Sequence, residues 1–250
     1  MLMGLSCSPN PLPESITLPM VASAHKKADY RHGHRSRLRA RFIAGGVEAV
    51  ADYELLELIL FAAHPRGDVK PLARLLLKEF GSVGKVLSAS PEALMNVDGV
   101  GESAIAALKT AEASAQMLLR SKVKQGPVIS NWTSLLDYCR SLLLGKKKEE
   151  FHLLFLNSKN ELIADEKQQT GTVNHAPVYP REVISRALEL GASAIILVHN
   201  HPSGDPTPSP ADIKVTRDIV QAGKGVSVTI HDHLIIGGER HYSFKSEGLI

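Results

Sequence analysis

The chain has 250 residues, 44% of them apolar and 22% charged, with 29 basic against 26 acidic side chains and hence a net charge of +3. Those proportions belong to a soluble globular protein of one large or two small domains. They exclude wholesale disorder, a fibrous repeat and a coiled coil, and the small basic excess does not by itself announce a nucleic-acid binder. Two cysteines, Cys7 and Cys139, are too few for a disulfide-stapled secreted scaffold or a cysteine-built zinc cluster.

No run approaches the roughly 18 apolar residues of a membrane span. Residues 1–24, broken by Pro11, Pro13 and Glu14, lack both the basic start and the apolar stretch of a signal peptide. The expectation is a cytoplasmic protein without membrane contact. Residues 1–30, rich in Ser and Pro over their first 25, read as a disordered tail. Lys26, Lys27, Arg31, Arg35, Arg37, Arg39 and Arg41 follow, set against Asp29 as the single acid of that stretch. They suit either a solvated, partly helical lead-in or a phosphate-seeking arm.

From Asp52 the periodicity is helical. Asp52 is a candidate N-cap for the run Tyr53 to Leu60, Pro71 to Phe80 is closed by Gly81, and Ser90-Pro91-Glu92 opens a further helix with Ser90 at the N-cap. Glu102 to Leu119 is a long alanine-rich helix. Residues 31–120 therefore form an all-helical domain, and residues 121–127, containing Gly126-Pro127, a linker. Beyond it, from 128 to 250, strands and helices alternate: strands at Phe151–Leu156 and Glu161–Asp165, a helix at Pro180–Leu190 ended by Gly191, a wholly apolar strand at Ala194–Val198, a helix at Pro210–Ala222, and strands at Val226–Ile230 and Leu234–Ile236. The fold class is α/β, a helical module followed by an α/β domain.

Between two of the helices stands Val97-Asp98-Gly99-Val100-Gly101-Glu102. The glycines allow a tight turn and leave backbone N–H groups at the start of the next helix, where an anion can sit. The arrangement resembles a helix-hairpin-helix, with Gly99, Val100 and Gly101 as candidates for non-specific contact with a DNA backbone. The bland alternative is a helix–helix turn without a ligand, and Glu92, Asp98 and Glu102 around the hairpin favour it.

The most informative segment runs from His199 to Asp212: His-Asn-His-Pro-Ser-Gly-Asp-Pro-Thr-Pro-Ser-Pro-Ala-Asp. Along an extended chain, residues two apart share a face, so His199 and His201 present both imidazoles together at a strand's end. The Pro- and Gly-rich stretch turns the chain back, and Ser209-Pro210-Ala211-Asp212 opens a helix. Two imidazoles and a carboxylate form the three-ligand set of a catalytic zinc, with a fourth position left to water. Ser-Pro-x-Asp alone is also an ordinary helix start. That reading explains Ser209, Pro210 and Asp212 but not two histidines issuing from an apolar strand, where an unpartnered pair is costly.

His-x-His-Pro, six residues, then Ser-x-x-Asp resembles the JAMM motif of MPN-domain metallopeptidases, and the wording around it is similar to that of the RadC family. The resemblance spans roughly residues 36–250. It implies an MPN domain with a mixed sheet, preceded by a helix-hairpin-helix, and one zinc ion held by His199, His201 and Asp212. It further implies that Ser209 helps stabilise a tetrahedral intermediate and that an upstream glutamate takes a proton from water on the metal. Counting back from Leu156-Asn157, as the family's pattern implies, gives Glu149. The residues themselves leave Glu150 and Glu182 open as alternatives. The activity implied is hydrolysis of an amide or isopeptide bond in a peptide or protein of unknown identity. A DNA-binding accessory protein with a non-catalytic zinc is the main competitor, and hydrolysis of phosphodiesters is a third reading.

His231-Asp232-His233 is a second cluster. Its histidines are expected to share a face, with Asp232 or His233 supporting a ligand or substrate more plausibly than holding a separate metal. His64 and His175 read as loop residues, Trp132 as core, and Arg181 as a contact to an acidic substrate group.

Overall fold

A computed structural model describes residues 33–168 and 178–250. The expected tail, with Lys26, Lys27 and Arg31, and the expected loop residue His175 lie outside the described residues.

Six helices come first: α1 (His34–Gly45), α2 (Asp52–Ala63), α3 (Lys70–Phe80), α4 (Val83–Ser88), α5 (Pro91–Met95) and α6 (Glu102–Val123). Leu38, Leu56, Leu60, Leu76, Val86, Leu94, Ala104 and Leu108 close a core among them. Ser82 and Ser90 cap α4 and α5 through their hydroxyls, and Gly81 ends α3 in the left-handed conformation that glycine tolerates. Asp52 is not the N-cap of α2 but its first helical residue. Ala51 holds the cap position, and its N–H is taken by the Glu54 carboxylate at 3.0 Å. The four described arginines of the basic stretch lie on α1. Arg35 and Arg39 stack over Phe61 at 4.4 and 5.5 Å, and Arg41 pairs with Glu54 at 2.5 Å.

Helix α6 runs beyond its expected end at Leu119, through the first residues assigned to the linker. Tertiary packing extends it: Leu119 and Val123 join the core of the following unit, and Arg120 pairs with Asp165 there. A short 3-10 turn at Val128–Asn131 then leads into α7 (Trp132–Leu143), a helix absent from the sequence expectation. Leu135, Leu136, Cys139 and Leu143 supply its buried stripe, and Trp132, expected in the core, is partly buried against it.

The remaining elements are β1 (Phe151–Leu156), β2 (Leu162–Lys167), α8 (Pro180–Glu189), β3 (Ala194–Asn200), α9 (Pro210–Lys224), β4 (Thr229–Gly237) and β5 (Arg240–Ser243). The strands form one sheet in the order β2-β1-β3-β4-β5, mixed because β3 pairs parallel with β4 while every other pairing is antiparallel. Strand β3 is central and buried throughout, as its apolar run requires. Its Ile196 and Val198 face α7 together with Leu154 and Leu234. Its Ile195 and Leu197 face the layer of α8 and α9, where Val183, Ile184, Ala187 and Ile219 lie.

The two short strands expected at 226–230 and 234–236 are replaced by one strand, β4, which begins at Thr229 after a turn at residues 225–227 and carries a bulge. Ile195 pairs with Ile230 but Ile196 with Asp232, which leaves His231 as the extra residue. The last strand, β5, was not expected. It returns through a turn at Gly238, whose φ is 62°.

Helix α9 lies close on the connection to β4 because Gly223 has no side chain. A Cβ there would stand 2.3 Å from the Val228 carbonyl oxygen. Gly223→Ala is expected to cost about 1–3 kcal/mol, the cost of overpacking against unyielding backbone, read as a lower urea midpoint at unchanged slope.

Candidate metal centre

Strand β3 delivers His199 from its buried end, and His201 follows one residue beyond it. The backbone N–H of His201 donates to the Ile236 carbonyl at 2.9 Å, so the chain stays in register with β4 past the end of β3. Residues 202–208 then fold against the end of β4. A Cβ on Gly237 would meet Gly204 O and Pro206 N, each at 2.7 Å, so glycine is required for this approach. Helix α9 starts at Pro210 with Ser209 as its N-cap. The Ser209 hydroxyl accepts from Asp212 N–H at 3.2 Å, and Asp212 Oδ2 accepts from Ser209 N–H at 2.7 Å. This reciprocal capping pair fixes the carboxylate in the first turn.

Three side chains thus meet. His199 Nε2 lies 3.0 Å from His201 Nε2 and 3.4 Å from Asp212 Oδ1, and His201 Nε2 lies 3.6 Å from Asp212 Oδ2. Each residue offers a donor atom within 4.8 Å of the others. A zinc ion with ligands at 2.0–2.1 Å in tetrahedral array has donors about 3.3 Å apart, so the spacing suits such an ion. The chemistry of the set agrees. His201 Nδ1 lies 2.8 Å from the Asp205 carbonyl oxygen, which can only accept, so Nδ1 carries the proton and Nε2 offers a lone pair to the centre. Among the described residues no fourth His, Cys, Asp or Glu joins the group, which leaves one side for water or substrate. Burial works against the charge on Asp212, but His199, the Ser209 hydroxyl and backbone, and His201 outweigh it and hold the carboxyl below its ordinary range.

The candidate glutamates differ in their surroundings. Phe151 pairs with His199 across β1 and β3, and its ring stacks on the imidazole at 5.7 Å. The pairing continues past Phe151: Asn200 Oδ1 accepts from Glu150 N–H at 2.8 Å, and Asn200 Nδ2 donates to Lys148 O at 3.1 Å. Glu149 lies between these two clasps. Glu149 is exposed and precedes the strand, while Glu150 is engaged by Lys167 at 2.8 Å and His152 at 3.5 Å. Glu182 is exposed in the first turn of α8, 3.9 Å from Arg181. Asn200 was not singled out by the sequence. Its place between two histidines was visible, but its bonds to a segment some 50 residues away were not.

The second histidine cluster divides. His231, the bulge residue, reaches Asn160 in the β1–β2 turn at 2.6 Å, so the expectation that it shares a face with His233 does not hold. Asp232 is a buried structural acceptor for its neighbour's N–H, for Ser243 Oγ and for Lys245 N–H. His233 is fully buried, with its Nε2 2.8 Å from His199 Nδ1.

In the helical part, Gly99 has φ 84°, Val100 is buried in the core, and Gly101 is the N-cap of α6. An open cleft at this point is lined by Ala63 at the end of α2, by His64, Pro65 and Arg66 just beyond it, and by Gly99, Gly101, Glu102 and Ser103.

Residues 129–249 match the RadC-like JAB domain, and residues 32–106 match the UPF0758 N-terminal family. A UPF0758 protein of Rhodobacter capsulatus is 60% identical over 213 residues, 85% of this chain and all of the relative. One from Ruegeria pomeroyi is 56% identical over 221 residues, 88% of this chain and 99% of the relative. The chain belongs to the RadC (UPF0758) family. The JAB assignment agrees with the mixed five-stranded sheet and with the His-His-Asp group at the end of its central strand. No described helix of this RadC-family chain is long and apolar enough to cross a membrane.

Two outcomes follow from this geometry. Gly237→Ala is expected to push residues 204–206 off β4, lowering stability by about 1–3 kcal/mol and weakening metal uptake, measured by thermal melting and by zinc titration. The second concerns pH. Burial, outweighing the bond to Glu150, holds His152 below its ordinary 6.5. The unfolded chain therefore takes up the proton first, and this contribution to stability is full above about pH 6.5 and lost as pH falls through the folded value. His152→Phe is expected to flatten the loss of stability between about pH 7.5 and pH 5.5, measured by urea unfolding of the metal-free protein.

Proposed function

We propose that this chain is a single-zinc hydrolase acting on amide or isopeptide bonds of a peptide or protein, with the helical part directing it to its substrate. The observation that carries the reading is the open-sided triad of His199, His201 and Asp212 beside the segment bearing Glu149. A structural zinc normally closes its sphere with a fourth protein ligand. When bound, the ion supplies Lewis acidity toward a carbonyl oxygen and makes water acidic enough to react near neutral pH.

The chain's own residues do the rest. Glu149, next to the Glu150 that Asn200 clasps, takes a proton from the attacking water and returns it to the leaving amine. The Ser209 hydroxyl accepts from Asp212 N–H without using its own hydrogen, which it donates to the developing oxyanion. Phe151 and the buried imidazoles wall the centre on its inner side. A reducing cytoplasmic setting fits the buried free thiol of Cys139, whose pKa burial pushes up to about 12.

Zinc analysis of the purified protein is expected to give one ion per chain, lost in His199→Ala. Glu149→Gln is expected to retain the ion while losing about 10²–10⁴-fold in turnover of a cleaved library peptide. Activity surviving that change would remove Glu149 as the base, and the absence of zinc from the wild type would end the reading.

The cleft at the start of α6 offers a second reading of the helical part, contact with a nucleic-acid backbone through Arg66 and the N–H groups after Gly101, against which the Glu102 carboxylate in the same lining counts. Duplex-DNA affinity of the full chain is then expected to fall with salt and to weaken in Arg66→Ala with a shallower salt slope.

A further inference from the structure

We infer that His233 and Thr216 are positioning residues that fix the tautomer of His199, so that its Nε2 lone pair faces the centre. The inference rests on the metal reading above and concerns side chains outside the triad.

The argument begins at a backbone atom. Thr216 Oγ1 lies 2.5 Å from the Asp212 carbonyl oxygen, one helical turn back on α9. A carbonyl only accepts, so the hydroxyl spends its hydrogen there. Thr216 Oγ1 also lies 2.6 Å from His233 Nδ1. With its hydrogen committed, the hydroxyl accepts in this second bond, and His233 Nδ1 must carry the proton. His233 is completely buried, and its two ring nitrogens face a hydroxyl and another imidazole with no carboxylate to balance a charge, so the ring is neutral and its Nε2 is bare. That bare nitrogen lies 2.8 Å from His199 Nδ1. His199 therefore carries its proton on Nδ1, and its Nε2 turns a lone pair toward His201 Nε2, which the Asp205 carbonyl has already deprived of a proton.

The relay closes on itself. Asp212 contributes its carboxylate to the centre and, through its own carbonyl, Thr216 and His233, orders the histidine that shares the site. Stacking on Phe244 at 4.7 Å and the tilted contact with Phe151 at 5.4 Å keep the His233 ring from turning. Partners of zinc ligands are commonly carboxylates, backbone carbonyls or water. Here the direct partner is a neutral imidazole, and the carbonyl stands two bonds further on. The histidine of the second cluster thus has a function that depends on the helix bearing the third ligand.

The test is nitrogen-15 imidazole spectroscopy of the full chain stripped of metal, at about pH 8.5 where imidazoles are neutral, paired with zinc titration. In the wild type, His199, His201 and His233 are expected as Nδ1–H tautomers, the minor form of a free histidine. Thr216→Val removes the acceptor. His199 and His233 should shift toward Nε2–H, His201 should stay as it is, and zinc affinity should fall about 10–100-fold; Thr216→Ser should restore both. If Thr216→Val does not fold, the pair His233→Phe and His233→Gln decides. The first keeps the stacked ring without an acceptor and the second keeps an acceptor, so only the first should lose the His199 tautomer and the affinity. Folded variants without an acceptor that keep wild-type tautomers and wild-type zinc affinity would overturn the inference. A wild type with the expected tautomers and no zinc affinity would instead overturn the metal reading and leave the relay standing.

Discussion

Two imidazole nitrogens held 3.0 Å apart, each with its ring's other nitrogen already engaged, form the contact on which the rest of this structure depends. Two lone pairs at that distance repel unless a positive charge lies between or beside them, and Asp212 adds a negative charge to the same space. With the tautomers inferred above the site suits a cation, and the surrounding fold holds the three side chains together. Strand β3 is buried on both faces and cannot shift to relieve the first ring. Gly237 lets the return loop lie close enough to hold the second. The capping pair at the start of α9 pins the carboxylate.

The bland and the functional readings of Ser-Pro-x-Asp involve the same atoms. Ser209 is an ordinary N-cap, Pro210 an ordinary first residue, and Asp212 an ordinary capping acid. Asp212 spends Oδ2 on the Ser209 N–H, and Oδ1 is the oxygen nearest His199. The helix start therefore stabilises the fold and orients the ligand at once. A carboxylate pinned by a backbone bond loses little further freedom when it binds an ion, which favours binding.

What the sequence made legible had local causes. The apolar run of β3, the alternation that brings His199 and His201 to one side, and the Ser90 and Ser209 caps all follow from neighbours within a few residues. What it hid had distant causes. Helix α7 carries its own buried stripe, but Gly126-Pro127 and the lysines beyond it obscured the period. The extra residue at His231 depends on how β4 pairs with β3, which no spacing within 226–236 reveals. Glu149 and Glu150 are chemically alike in sequence, and the pairing of Glu150 with Lys167, which the sequence hid, joins it to a residue on β2. The role of His233 needed both the bulge and Thr216, from two elements that meet in the folded chain alone.

The long helix α6 changes what the helical part can do. The expectation of a linker from Ser121 implied a module tethered by a pliant segment. Instead one continuous helix gives Ala104 and Leu108 to the first core and Val123 to the second, with Arg120 bound to Asp165 and Gln116 to the Ser141 carbonyl. Moving the two parts independently would break a helix and expose apolar side chains of both cores. The cleft at the start of α6 is therefore joined to the domain of the candidate metal centre through one helix that packs into both cores. On the targeting role proposed above, a partner seated in that cleft would meet the centre through this shared helix, without the raised local concentration that a flexible tether provides.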